Sequence, residues 1–226
     1  QGDLVLGRSA RELGLGSYPT GTHAAVPTRC VGCNRAPTQP AGQPGHNEVG
    51  GHSFAMAAAG ENLAACSGCH PGLTRLDRTA YGDFDGDGVL ESIRSETTGL
   101  ADLLAAALSA RAAELFPVET AGPSPIVMQA GGYIRILRHY QPGVSDPACN
   151  PAILDASNES CYAFPAGQVP AGLPGAQDLL DAAWNLFLVT GDEAAGIHNG
   201  AYAVSVLQRS YAAVAGHPVP GAIIRD

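Results

Sequence analysis

The chain has 226 residues and a formal net charge of −9, and each of its 12 basic residues is an arginine. It has no basic stripe that would bind nucleic acid or an anionic membrane surface, and no apolar run in the sequence reaches the length of a membrane-spanning helix. Apolar residues make up 45% of the chain, which is enough for a core, but 29 glycines and 17 prolines predict long irregular segments between helices.

Taken in chain order, the first predicted helix is a weak one. Residues 1–65 have the composition of coil, and only Ser53–Ala65 within them shows a helical pattern. Glu96–Phe116 is rich in Ala and Leu at helical spacing, so it is expected to form a long helix. Ser124–Tyr140 is predicted to form another helix, after which residues 141–173 return to loop.

The last two predicted helices are Gly175–Thr190 and Asn199–Ala215. The turn that joins them, Gly191–His198, is short, which favours an antiparallel helical hairpin. No strand ladder is expected. The prediction is therefore a mainly α fold in one domain that spans the chain, with a loop-rich part at 1–95 and a helical part at 96–226.

Six cysteines fall into three closely spaced pairs. The middle pair belongs to Cys66-Ser67-Gly68-Cys69-His70, a CxxCH motif, in which two thiols bond to the vinyl groups of a porphyrin and the histidine binds its iron. The motif predicts one covalently attached haem c, held by Cys66, Cys69 and His70. A zinc site shared with the first cysteine pair stays open as an alternative.

The other two cysteine pairs are expected to form disulfides. Cys30 and Cys33 are followed by Asn34, where a haem motif has histidine. Because Asn is a poor iron ligand, a Cys30–Cys33 disulfide is favoured over a second haem. A thioredoxin-like role is weaker still, because no βαβ pattern surrounds the pair. Cys149 and Cys161 are expected to close a small loop.

Haem attachment at CxxCH also predicts where the protein is found. In bacteria this attachment takes place outside the cytoplasm, so we expect export to the periplasm or beyond. Gln1 is then expected to be the first residue of a mature chain whose leader has been removed. Disulfides persist in that oxidising environment, in agreement with the cysteine pairs.

The second axial ligand of the iron decides between functions. A second protein ligand makes an electron carrier, whereas an open position permits small-molecule binding or catalysis. The residues that can supply this ligand are His23, His46, His52, His139, His198, His217, Met56 and Met128.

Three blocks of the sequence resemble multihaem c-type cytochromes. Gly21-Thr22-His23 stands seven residues before the first cysteine pair, and Gly51–Phe54 precedes the CxxCH motif. Gly196–Asn199 opens the last predicted helix, which carries Tyr202 and Leu207 on its apolar face. In order and spacing, these blocks resemble the C-terminal half of the pentahaem nitrite reductases and their relatives, over roughly residues 20–210.

In that family, axial ligands cross between haems. The resemblance implies that His23 binds the iron opposite His70. It leaves His52 and His198 without haems of their own, because the earlier haem motifs are absent and the first cysteine pair has lost its histidine. Both residues remain alternative distal ligands.

One departure from the family limits the function. The nitrite reductases bind substrate at a haem whose iron is ligated by lysine, and this chain has no lysine. Nitrite reduction by that mechanism is therefore excluded for this chain. The favoured function is electron transfer by one bis-His haem, without catalysis. The expected partners are other cytochromes or redox proteins, or copies of the chain in an oligomer or filament.

Two other functions stay open. One is a haem enzyme or ligand sensor with an open iron position. The other is a structural subunit descended from a multihaem ancestor, in which the haem mainly holds the fold together. Whether the iron has a second axial ligand from the protein distinguishes an electron carrier from a haem enzyme or sensor. The distance from the haem to another redox centre distinguishes an electron carrier from a structural subunit.

An acidic stretch follows the CxxCH motif. Asp83, Asp85 and Asp87 alternate ahead of Gly88, as in the first half of an EF-hand loop. The final Glu of that pattern would fall on Arg94, so another carboxylate has to replace it. The expected calcium ligands are Asp83, Asp85, Asp87, the carbonyl of Val89, and Glu96 or Glu91. The alternative is a solvated acidic turn that caps the following helix.

Overall fold

The computed structural model describes residues 2–58, 60–115, 127–130, 133–136 and 172–225. Its helices and strands, in chain order, are α1 (Gly2–Leu6), α2 (Arg29–Asn34), α3 (Ile93–Leu115), β1 (Val127–Ala130), β2 (Tyr133–Ile136), α4 (Ala176–Thr190) and α5 (Gly200–Ala215). Two 3₁₀ turns lie at Thr22–Ala25 and Leu63–Ala65. The fold is mainly helical, as predicted. No helix in these described ranges is long and apolar enough to cross a membrane.

The core lies between the three long helices, α3, α4 and α5, which pack against one another. Leu100, Leu104 and Leu108 recur on one face of α3, and each is at most 1% exposed. Burial of each leucine stabilises the fold by about 1.5–3 kcal/mol. The long helix predicted at Glu96–Phe116 is confirmed, with its start at Ile93.

The helices predicted at the C-terminal end are also confirmed, as α4 and α5. Nδ2 of Asn185 on α4 donates a hydrogen bond to Oγ of Ser210 on α5 over 2.9 Å. Leu179 and Leu207, one from each helix, are at most 1% exposed. The side chain of Asn199 caps α5 by accepting the N–H of Tyr202. The two helices therefore pack together as a helical hairpin.

The predicted helix at Ser124–Tyr140 is wrong. Strands β1 and β2 pair there antiparallel, with Val127 opposite Ile136. The chain has Gly131 and Gly132 between the two strands, and each glycine costs a helix about 1 kcal/mol relative to alanine. Two glycines between runs of β-branched and aromatic residues favour a hairpin instead. The expectation of no strand ladder is therefore wrong as well.

Among the residues of Ser53–Ala65 that the structure describes, the helical pattern forms only one 3₁₀ turn, Leu63–Ala65. Phe54 has a φ of +58°, which interrupts a right-handed helix. Ala57 pairs with Glu61 in an isolated antiparallel bridge, so the backbone folds back on itself. The helix prediction for this segment is therefore wrong outside that single turn.

The N-terminal segment, predicted as coil, contains α1 and α2 and lies against the helical hairpin. Leu4 is buried in the core. The hydroxyl of Tyr202 donates to the carbonyl of Arg8 over 2.6 Å, and the backbone N–H of Arg11 donates to Oδ1 of Asn185 over 2.7 Å. These bonds fix the segment that leads into the first 3₁₀ turn.

Candidate haem and cation sites

The rings of His23 and His70 meet at the centre of the candidate haem site. Their centroids are 6.0 Å apart and their planes are nearly perpendicular, at 89°. Two imidazoles that bind one metal ion through bonds of about 2 Å have ring centres roughly 6 Å apart. The spacing of these two rings therefore suits a pair of axial ligands on one iron.

The CxxCH motif supplies His70 and two thiols from one tight turn. The backbone N–H of His70 donates to the carbonyl of Cys66 over 2.8 Å, and the N–H of Cys69 donates to the same oxygen over 3.1 Å. Cys66 is half-buried and Cys69 is exposed. This turn follows directly on the 3₁₀ turn Leu63–Ala65, whereas His23 comes from the separate turn Thr22–Ala25.

A backbone carbonyl fixes the tautomer of His23. Nδ1 of His23 lies 2.9 Å from the carbonyl oxygen of His198. Because a carbonyl only accepts hydrogen bonds, Nδ1 carries the proton and Nε2 keeps the lone pair that a metal ion needs. Histidine ligands of metals commonly have such a partner, which also orients the ring.

The contact of His70 with Arg78 is different. Nη1 of Arg78 lies 3.1 Å from Nδ1 of His70, and a guanidinium only donates. This bond puts the lone pair on Nδ1 and the proton on Nε2. Binding of an iron through Nε2 would therefore require Arg78 to leave and the proton to move to Nδ1. Arg78 is exposed, so its displacement costs little.

A cavity of about 240 Å³ borders both histidines and Cys66. Its other lining residues include the apolar side chains of Leu73, Leu76 and Ile93. A porphyrin needs an apolar slot with two thiols at its edge. This cavity has the apolar walls and the thiol of Cys66, whereas Cys69 lines another cavity that His70 also borders. Tyr81, which is 83% exposed, also lines the cavity, so one side opens to solvent.

Cys30 and Cys33 are free thiols in this structure, which therefore lacks the disulfide predicted between them. Both lie on α2, where Cys30 is exposed and Cys33 half-buried. Together with His23 and His198 they line a smaller, mostly apolar cavity. The predicted Cys149–Cys161 disulfide lies outside the described residues.

The ring of His198 contacts a buried carboxylate, and His198 does not line the His70 cavity. Nδ1 of His198 lies 2.7 and 2.8 Å from the two carboxylate oxygens of Asp192, which is 1% exposed. The hydrogen bond between His198 and His23 is made by the carbonyl of His198. Asp192 was missed in the sequence, because nothing in the turn before α5 marks it as a partner for a histidine six residues later.

Of the other candidate ligands whose side chains the structure describes, none lines the His70 cavity, Met56 included. His52 is exposed and does not line the His70 cavity. His46 and His217 are exposed, and Nδ1 of each lies beside a backbone carbonyl of a nearby residue. His139 and the side chain of Met128 lie outside the described residues. The geometry therefore favours His23 over the alternatives whose side chains the structure describes.

The acidic loop brings together most of the predicted cation ligands. Carboxylate oxygens of Asp83, Asp85 and Glu96 lie within 4.8 Å of one another, and those of Asp85, Asp87 and Glu91 form a second such group. None of the ion pairs in the described part of the chain includes these side chains. The clustered negative charge is therefore not neutralised by described arginines.

Glu96 closes the loop from the first turns of α3. It is 0% exposed, and its Oε2 accepts the backbone N–H of Phe84 over 2.7 Å. Its Oε1 accepts the N–H of Glu91 over 3.1 Å. Arg94, which stands where an EF-hand has its last Glu, is exposed. Glu96 thus supplies a carboxylate in place of the final Glu of the EF-hand pattern, which falls on Arg94 in this chain.

The turn of the loop is built by Asp83, Asp87 and Gly88. Gly88 has a φ of +88° and donates its N–H to Oδ2 of Asp83 over 2.8 Å. The N–H of Val89 donates to Oδ1 of Asp87 over 2.7 Å, so Val89 lies in the same turn. Gly88 therefore makes the sharp turn that the sequence predicted.

Asp85 is pressed against α3. A Cβ on Gly99 would overlap its Oδ2, so only glycine permits this approach. Partial burial raises the pKa of Asp85, and the neighbouring carboxylates, with Asp87 first among them, add to the effect. A bound cation would offset both costs.

The loop is also tied to the end of the chain. Nε2 of Gln208 on α5 donates to the carbonyl oxygens of Phe84 and Ile223, each over 2.9 Å. The N–H of Ile223 donates to the carbonyl of Asp83 over 2.7 Å. The acidic loop therefore joins α3, α5 and the C-terminal segment.

Within the described ranges, the convergent groups of three or more potential metal ligands are the two carboxylate groups, and neither contains cysteine or histidine. The zinc alternative thus has no assembled ligand set there. Comparisons of the chain with protein-family models, curated proteins and solved structures find no match. Its function is therefore inferred from its own residues.

Proposed function

We propose that this chain carries one haem c on Cys66 and Cys69 and transfers electrons through it. His70 and His23 are the proposed axial ligands. The proposal is supported above all by the 6.0 Å between the ring centroids of these two histidines, because it brings an imidazole from a separate segment to the haem motif. When bound, the haem supplies one-electron iron chemistry.

Two imidazole ligands favour an electron carrier over an enzyme. With a haem bound, they would hold the iron from both sides and leave no position for a substrate. The bond between Nδ1 of His23 and the carbonyl of His198 makes the ring of His23 a better ligand and holds its orientation. This arrangement supports the proposal of electron transfer rather than catalysis.

The open side of the cavity is the proposed route for electrons. Tyr81 is exposed there, so a partner can approach the edge of the proposed haem. The proposed partners are other cytochromes or redox proteins, or further copies of this chain. Because haem is attached to CxxCH outside the cytoplasm in bacteria, the proposed location is the periplasm or the outside of the cell.

A calcium ion is proposed in the acidic loop, with a structural role. Its support is the convergence of Asp83, Asp85 and Glu96, whose oxygen ligands are those that calcium prefers. Because the loop joins α3 to α5 and the C-terminal segment, a cation there stabilises the segment that follows the haem motif.

Export of the chain with haem-attachment machinery tests the haem proposal. The pyridine haemochrome spectrum and the intact mass should both show one haem per chain. Peptide mapping by mass spectrometry should find it on the peptide with Cys66 and Cys69, and the Cys66→Ser/Cys69→Ser variant should lose it. Haem on the peptide with Cys30 and Cys33, or no covalent haem at all, would contradict the proposal.

A further inference from the structure

His70 lines two cavities. The first is the cavity of about 240 Å³ that Cys66 and His23 also line. The second has a volume of about 560 Å³, and Cys69 is one of its lining residues. His70, Leu73 and Arg78 line both, so the two cavities adjoin each other at the proposed iron ligand.

The proposed haem would have to reach into both cavities. Its two thioether bonds would be made to Cys66 and Cys69, which line different cavities, and its iron would bind His70, which lines both. Under the proposed function, the second cavity is therefore part of the haem site rather than a separate pocket.

The two cavities differ in the polarity of their walls. The first has the apolar side chains of Leu76 and Ile93, whereas the second has the guanidinium group of Arg75 beside that of Arg78. A haem is divided in the same way, because its ring carries apolar methyl and vinyl groups as well as two propionate carboxylates, which are ionised at neutral pH. A carboxylate is costly to bury without a partner, so the propionates are expected at the arginines of the second cavity.

Neither arginine of the second cavity has a carboxylate partner among the described residues. Arg75 and Arg78 are exposed, and no ion pair in the described part of the chain includes either of them. Asp77, which stands between them in sequence, accepts the backbone N–H of Arg94 over 3.2 Å. Arg78 contacts an imidazole instead, with 3.1 Å between its Nη1 and Nδ1 of His70. Both guanidinium groups are therefore available to carboxylates from outside the protein chain.

We propose that Arg75 and Arg78 bind the two propionate carboxylates of the haem. This inference rests on the proposed function. Binding of an iron through Nε2 of His70 would require Arg78 to leave Nδ1, and a carboxylate is a stronger partner for a guanidinium than a neutral imidazole, because their charge-assisted hydrogen bonds are often bidentate. Arg78 thus exchanges His70 for a propionate, and this exchange frees the histidine for the iron.

The two positive charges would also favour the reduced form of the iron. Reduction adds one negative charge to the haem, and a nearby guanidinium stabilises that charge by Coulomb attraction. Because both arginines are exposed, solvent screens the attraction, so removal of either should lower the equilibrium constant for reduction by about threefold to tenfold. A tenfold change in a one-electron equilibrium corresponds to about 59 mV.

Resonance Raman spectroscopy of the haem-loaded protein tests the contact itself, because the bending bands of the propionates respond to their hydrogen bonds. Arg75→Gln and Arg78→Gln should each shift these bands, and a redox titration should show the lowered equilibrium constant. The matched control is Arg111→Gln, which should change neither. Arg111 pairs with Glu114 and lies 18 residues after Ile93 on α3, about 27 Å along the helix axis from the cavity wall.

Two results of this experiment would overturn the proposal. One is a pair of arginine variants whose propionate bands are both unchanged, even if the equilibrium constant for reduction falls, because a charge can act on the iron without contacting a propionate. The other is a band shift that Arg111→Gln shares, because the shift would then not depend on the cavity.

A free anion is the other source of negative charge for these two arginines. Inorganic phosphate is the probe for this case, added to the haem-loaded wild type at constant ionic strength. The proposal predicts that the propionate bands and the reduction potential stay unchanged. A phosphate-dependent change that both arginine variants lose would mean that the cavity binds a free anion, and it would overturn the assignment to the propionates.

This inference and the proposed function fail in different ways. If the exported chain holds no covalent haem, as measured by its pyridine haemochrome spectrum, the proposed function is wrong and this inference fails with it. If the wild type and the variants each hold one haem per chain and the propionate bands respond to neither arginine, only this inference is wrong.

Discussion

Replacement of Asn199 by alanine should loosen the distal ligand as well as the fold. Oδ1 of Asn199 accepts the N–H of Gly21 over 2.7 Å, and its Nδ2 donates to Oγ1 of Thr20 over 2.6 Å. These two residues directly precede the turn that carries His23. Asn199 is 2% exposed and also caps α5, so one side chain fixes the His23 turn to the helical hairpin.

The expected loss of stability follows from these contacts. Each of the two short hydrogen bonds contributes about 1 kcal/mol net, and loss of the N-cap costs about 1 kcal/mol more. The substitution should therefore lower the free energy of unfolding by about 2–4 kcal/mol. If roughly 1.4 kcal/mol of this lost free energy makes local opening of the Thr22–Ala25 turn easier, the fraction of molecules in which His23 is detached from the iron rises about tenfold.

Asn185→Ala is the matched control. Asn185 is 0% exposed and accepts the N–H of Arg11 over 2.7 Å, so it ties the N-terminal segment to the hairpin away from His23. Both variants should lose similar stability in urea unfolding, but only Asn199→Ala should bind cyanide at the haem about tenfold faster. Equal cyanide rates in the two variants would refute the positioning role of Asn199.

Three further predictions concern the cation, the thiols and one tyrosine. Calcium at about a hundred times its Kd should stabilise the protein by about 2.7 kcal/mol, which raises Tm by roughly 5–10 °C. The buried Glu96→Gln variant should lose this rise in Tm, and the exposed Glu114→Gln control should keep it. A rise in Tm that Glu96→Gln retains would contradict the site. In the haem-free chain, iodoacetamide should modify Cys33 and Cys66 more slowly than the exposed Cys30 and Cys69. The reason is that burial raises the pKa of Cys33 and Cys66, and the thiolate is the reactive form. Equal rates of modification, measured by peptide mapping, would contradict this. Burial raises the pKa of Tyr18 from 10.0 to about 12, so the stability that its neutral phenol contributes below pH 10 should be lost as the pH rises from 10 to about 12. In thermal unfolding, Tyr18→Phe should show a smaller fall in Tm over this pH range than the wild type. An ultraviolet titration in which no tyrosine has a raised pKa would contradict the prediction.

The parts of the fold that follow local periodicity could be predicted from the sequence. Helices α3, α4 and α5 each carry apolar residues at helical spacing, and their observed bounds lie close to the predicted ones. The hairpin β1–β2 was also present in the sequence, because Gly131 and Gly132 separate two short apolar runs. Two consecutive glycines favour a turn more strongly than the apolar composition of the stretch favours a helix.

The N-terminal segment could not be predicted in the same way. Its backbone is fixed by side chains far along the chain; for example, the N–H of Ala10 donates to the hydroxyl of Tyr202, which is 192 positions away. No pattern within residues 1–65 encodes such a contact. Short helices that form through distant partners therefore had no local signal to reveal them.

In the candidate site, too, some residues belong to local motifs and others depend on contacts between distant parts of the chain. The CxxCH motif and the alternating aspartates are local patterns, so Cys66, His70 and Asp83 could be singled out by spacing alone. Asp192 and Asn199 act through the turn between α4 and α5, which meets the His23 segment only in the folded chain. Their roles depend on tertiary contacts that spacing does not contain.

The ligation of the iron is the measurement that tests the central proposal most directly. Low-temperature EPR and visible spectra should be recorded for the haem-loaded wild type, for His23→Ala, and for His52→Ala as the matched control. We expect a low-spin bis-His signal in the wild type and in His52→Ala, and a high-spin signal in His23→Ala. A low-spin signal that persists without His23 would contradict the proposed ligand pair, and a high-spin wild type that binds cyanide readily would point to an open-site enzyme or sensor instead.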